Sequence, residues 1–145
     1  MIVNRKPLLA FFVLLTLLIG SYAVAYRQAS CRLQMSDRCF RVLWATTPEA
    51  RQQGLSGHPG LKDNETMVFV FDKLEVQCFW MKDMKFGLDM IWLDDQKKIV
   101  AIEQNVSPDT YPQTFCPDAQ ARYVVEVNAG TANKLGLGLG QTVKL

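Results

Sequence analysis

The sequence predicts a mainly β protein, a single compact β-sandwich or barrel with two short helices, preceded by an N-terminal hydrophobic helix. Three observations carry that expectation. Short runs rich in β-branched and aromatic residues recur, among them MVFVF (67–71), LDMIWL (88–93) and YVVEV (123–127). Turn signals separate them, and only two stretches carry helix-cap chemistry. The first 25 residues differ in kind from everything after them.

The chain starts with MIVNRK, then runs apolar from Leu8 to Gly20 and continues uncharged through SYAVAY to Arg27. Two readings fit. A cleaved signal peptide needs a basic start, a short apolar core and small residues before the cut, and Ala23-Val24-Ala25 supplies the last. An uncleaved anchor needs about 20 apolar residues, and the stretch 8–26 is just long enough to meet the membrane as partner. Either way the chain divides into a signal or anchor over 1–26, a linker over 27–37 and a β-rich domain over 38–145. The domain then faces the periplasm or the cell exterior.

Arg5 and Lys6 are the only charges of the leader, and without them the chain has 14 basic and 14 acidic residues. A neutral domain has no footprint for nucleic acid. Four cysteines, Cys31, Cys39, Cys78 and Cys116, are an even count suited to disulfides in an exported domain, with three pairings open. A bridge across the 38 residues from Cys78 to Cys116 would contribute about 4 kcal/mol.

Along the domain, CFRVLWA alternates as a strand, with Phe40, Val42 and Trp44 opposite Arg41, Leu43 and Ala45. TTPEARQQG reads as a helix, with a capping box from Thr46 to Glu49 and Gly54 at its end. TMVFVF and KLEVQCFWM read as two further strands. LDMIWL and KIVAIEQ form a hairpin around Asp94 to Lys97. The stretch 105–121, with three prolines, is a long loop of the kind that carries function. RYVVEV is a strand, GTANKLG a short helix and QTVKL a last strand.

Four segments in this order, ARQQGLSGHPGL (50–61), MVFVF (67–71), FWMKDM with LDMIWL (79–93) and YVVEVNAGTANKLGL (123–137), resemble an uncharacterised family, domain of unknown function 192. The resemblance covers roughly residues 43–145. It implies a small β-rich domain, often with an N-terminal signal or anchor, and implies no reaction. The chain departs from the family pattern at His58, at Asp83-Met84 and at Gly87. The family's long loop often holds two cysteines, and only Cys116-Pro117 matches here, which makes Cys78 the implied partner of Cys116.

The polar residues of interest are few. Asp89 and Glu126 are carboxylates inside apolar strands, where an ionised group needs partners or a raised pKa. They fit an architectural role, fixed by backbone amides or by Lys82, Lys85 or Arg122. They also fit a catalytic one, in which Asp89, Glu126 and Lys82 converge on a polar pocket for acid–base work on a glycan or peptidoglycan fragment. Trp80, Met81, Lys82 and Asp83 are the candidate binding residues, with Trp80 as a stacking platform if exposed. A soft-metal set of Met67, Met81, Met84, Met90, Cys78 and His58 is split between strand faces and lacks an imidazole pair, so no metal and no cofactor is expected. The expected function is a binding or accessory module of the cell envelope, with an unknown ligand or partner protein. An envelope hydrolase is the alternative.

Overall fold

The computed structural model describes residues 13–19, 21 and 31–145. The chain forms two units, residues 1–31 and 32–145. In the first, residues 13–19 and 21 are helical. The remaining leader residues lie outside the described part, so the signal-or-anchor expectation falls mostly there. No described helix is long and apolar enough to cross a membrane.

The second unit is a six-stranded, curled half-barrel sheet with a small second sheet. Its strands are β1 (Leu33–Met35), β2 (Arg38–Ala45), β3 (Glu65–Glu75), β4 (Phe79–Trp80), β5 (Leu88–Leu93), β6 (Ile99–Val106), β7 (Thr114–Phe115) and β8 (Ala121–Asn128). The large sheet runs β1-β2-β3-β8-β5-β6, and β4 pairs with β7. Only β2 and β3 are parallel neighbours. A parallel return needs a crossover, and the helix α1 (Pro48–Gln53) with the loop behind it provides one.

Several expectations shift. Residues 33–35, read as linker, form β1 against β2. The helix cap is Thr47, one residue later than expected; its side chain accepts from Ala50 N, and Pro48 takes the first helical position. The expected break near Asp72 is instead an irregularity within β3 between Val70 and Glu75. The loop 105–121 contains a 3₁₀ turn at Pro108–Thr110, a cis Tyr111-Pro112 bond and β7. QTVKL makes two isolated bridges, Lys98 to Thr142 and Gln34 to Lys144. That tail therefore hydrogen-bonds to both edges of the sheet, covering backbone groups that an edge leaves open.

All six residues of β5 are buried because both faces of the sheet are covered. Leu88, Met90 and Trp92 pack on one face with Met67, Phe69 and Val124. Ile91 and Leu93 pack on the other with Val68, Val125 and Val127. The second helix, α2 (Thr131–Lys134), follows β8 directly.

Candidate functional site

Asp89 and Glu126 sit on neighbouring strands and opposite faces. In the β5–β8 register Asp89 faces Val127, and Met90 faces Glu126. Side chains alternate along a strand, so the two carboxyl groups are separated by the sheet itself. The catalytic alternative needs both carboxyl groups on one side, and this register places them on two.

Asp89 is fully buried and fully engaged. Its Oδ1 accepts from Asn105 N at 2.8 Å and Gly130 N at 3.0 Å, and its Oδ2 accepts from Ala132 N at 2.7 Å. Three backbone donors satisfy the carboxylate without any basic side chain. They also tie β5 to the end of β6 and to the first turn of α2. Asn105 holds a left-handed φ of 56°, a conformation this tie helps to maintain.

Glu126 is the opposite case. It is 4 % exposed, and its Oε2 is buried with no hydrogen-bond partner. Burial pushes its carboxyl up to about 8. Its same-face neighbours in register are Met67 of β3 and Met90 of β5, which offer no donor. Among the described residues neither Lys82, Lys85 nor Arg122 forms an ion pair with it, and Arg122 Nε is itself buried without a partner. Glu126 lines a half-open cavity of about 310 Å³ bounded by α1, the loop after it, β3 and the β4 segment.

Four aromatic rings, Phe69, Phe71, Phe79 and Trp80, share the walls of that cavity with polar residues of α1, of the loop after it and of the segment before β4. Phe69 and Phe79 meet edge to face with centroids 4.8 Å apart, and Phe71 lies 6.4 Å from Phe79. Gly54, at φ 50°, ends α1 where a Cβ would come within 3.3 Å of the Phe69 ring. Arg51 is the other charged residue of the lining. Its guanidinium donates to Thr46 O at 2.9 Å and Val70 O at 2.8 Å, lies 3.9 Å from Asp72 and covers the Phe71 ring.

Trp80 also lines the cavity and is 52 % exposed. Tyr111 packs edge to face on it, and Lys82 Nζ lies 5.9 Å from its ring centroid. Lys82 approaches neither carboxylate as an ion pair among the described residues. Met81, one of the candidate binding residues, is 1 % exposed and packs in the core. Asp83 has a φ of 55°, and its carbonyl accepts from Gly57 N. Sequence reasoning missed Arg51, Phe71 and Phe79 as lining residues. Their spacing carries no signal, because the cavity is assembled from segments far apart in the chain.

The β4 segment is held in place by a disulfide between Cys78 and Cys116, with Cα atoms 4.3 Å apart, and by the β4–β7 pairing. Cys31 and Cys39 are disulfide-bonded as well, and no cysteine is free. Two disulfides suggest an extracytoplasmic domain, since the cytoplasm keeps thiols reduced.

Known structures share this fold. One is a protein of unknown function from Novosphingobium aromaticivorans DSM 12444, 27 % identical, with a TM-score of 0.71 over 74 % of this chain and 76 % of that one. Another is described as a candidate transcription regulator from Sinorhizobium meliloti 1021, 28 % identical, with a TM-score of 0.69 over 72 % of this chain and 81 % of that one. No curated protein matches the chain. The model of the family designated DUF192, "Uncharacterized ACR", matches residues 31–145, a span that takes in β1 and all four cysteines. The chain belongs to the DUF192 family.

Proposed function

We propose that this domain is a non-catalytic binding module of the cell envelope, and that its ligand enters the cavity floored by Glu126. One observation carries the reading: a buried carboxyl group with a free oxygen lines a cavity that the surrounding protein leaves unfilled. Buried polar groups are almost always satisfied, so an orphan at the wall of a cavity marks a place for a bound partner. Trp80 and Tyr111 at the surface beside it provide aromatic contact area of the kind that recognition sites use. The apolar run at 8–26 would tether the module to the membrane or direct its export.

The hydrolase reading has less support. Acid–base work on a glycosidic bond uses two carboxyl groups about 5–9.5 Å apart on one site. Here the second carboxylate faces the other side of the sheet and is engaged by three amides. A lone buried acid binds more readily than it catalyses.

NMR titration of the purified protein with a muropeptide digest and with simple amines and amides tests the module. The expected result is a saturable shift of the Trp80 indole and Phe79 signals, reduced in Trp80→Ala, with each probe recovered unchanged. Chemical conversion of a probe would make the domain an enzyme. Silence of the cavity signals toward every probe would sink the binding site.

A further inference from the structure

The cavity contains an acid, and its one cationic side chain is engaged elsewhere. The same-face neighbours of Glu126 along the sheet are thioethers, and the lining contributed by α1, β3 and the β4 segment has a single cationic side chain, Arg51. That guanidinium already has two carbonyl acceptors and Asp72. The same cavity is lined by the rings of Phe69, Phe71, Phe79 and Trp80, together with polar residues such as Gln53, Ser56 and Gln77.

We propose that the cavity takes its ligand by an alkylammonium group, seated against the Glu126 carboxylate with its carbons among the aromatic walls. This deepens the binding reading and rests on it. Three features select the chemistry. A buried carboxyl without a partner lacks an opposite charge, and an ammonium provides it with directed N–H donors. Aromatic faces attract cations most strongly where water is excluded, and apolar walls cover the alkyl stem. The rings at the rim already behave this way: Arg51 lies 5.4 Å from the Phe71 centroid, and Lys82 Nζ lies 5.9 Å from that of Trp80. A metal ion fits poorly, since hard cations need several oxygen ligands and no cluster of three acidic, cysteine or histidine groups occurs among the described residues.

Binding is coupled to a proton. With the cavity empty, burial holds Glu126 protonated at neutral pH. When R–NH₃⁺ enters, the carboxyl proton leaves to solvent and the carboxylate that remains pairs with the ammonium. One positive charge enters and one leaves, so the net charge of the cavity is unchanged.

Calorimetry of the purified full-length protein at pH 7 tests this, with butylammonium chloride and 1-butanol as probes in buffers of different ionisation enthalpy. Butylammonium is expected to bind with release of nearly one proton. Its affinity should rise about tenfold per pH unit below the carboxyl's pKa and level off above it. Glu126→Gln should abolish the proton release and weaken binding at least tenfold; a melting temperature no lower than the parent's at pH 8 shows that the variant is folded. Equal affinity for 1-butanol, binding without proton release, or an unaffected Glu126→Gln would each overturn the proposal. If acetamide shifts the cavity's NMR signals while butylammonium does not, the cation is wrong and the binding site stands. If none does, both fall.

Discussion

Asp89 and Ala132 lie 43 residues apart and are joined by a 2.7 Å hydrogen bond from the Ala132 amide to the Asp89 carboxylate. With Asn105 and Gly130 donating to the other oxygen, one side chain fastens β5, the end of β6 and the start of α2 together. The six residues of β5 are all buried, so apolar pattern alone specifies its register weakly. Slipping the strand by one residue would take Asp89 away from all three donors.

Asp89→Ala should therefore lose about 2–4 kcal/mol, the range for leaving a buried polar network incomplete. Asp89→Asn should do nearly as badly, because an amide N–H₂ would replace an acceptor that faces donors only. Urea unfolding measures the loss, and hydrogen exchange should quicken at Asn105, Gly130 and Ala132. An unchanged midpoint together with lost ligand binding would make Asp89 a site residue.

Glu126 makes stability fall as pH rises. Its folded pKa, about 8, lies above the ordinary value of 4.5, so the folded state keeps a proton that the unfolded chain has given up. Between those two values stability should decline by about 1.4 kcal/mol per pH unit, and above the upper one the decline should cease. Glu126→Gln should melt with the parent near pH 4 and well above it at pH 8. Parallel melting curves across that window would show the carboxyl to be unperturbed.

Replacing Cys78 and Cys116 together by Ser should lower stability by about 4 kcal/mol through the freedom returned to the unfolded chain. The β4–β7 pair consists of two residue pairs, Phe79 with Phe115 and Trp80 with Thr114. Without the bridge that pair should loosen, and the Trp80 fluorescence should become more solvent-like than in the parent. Retention of both stability and spectrum would mean that the disulfide only decorates an already rigid loop.

Deleting residues 141–145 should expose both edges of the large sheet. The tail exchanges hydrogen bonds with Gln34 on β1, with Lys97 in the turn before β6 and with Ile99 at the start of β6. Open edges pair with other chains, so the truncated protein should elute as concentration-dependent oligomers in size-exclusion chromatography. A monomer as stable as the parent would show that the tail is dispensable.

The strands were legible in the sequence because each is a local pattern. LDMIWL and YVVEV announce themselves by β-branched and aromatic content, and the Asp94–Lys97 turn by its polarity. Helix α1 was legible to within one residue of its cap, since Thr46 and Thr47 offer the same hydroxyl. The presence of two acids in apolar strands was legible too, along with the need for each to be explained. Tertiary structure alone decided their roles. Asp89 meets donors 16, 41 and 43 residues away, whereas Glu126 meets two methionines and an open cavity. Strand order and register set that difference, and neither is written in local pattern. The same holds for Leu33–Met35 and the tail, whose short runs acquire meaning only by pairing with partners distant in the chain. Alternation along a strand shows that two side chains occupy some face; only the assembled sheet determines what faces them.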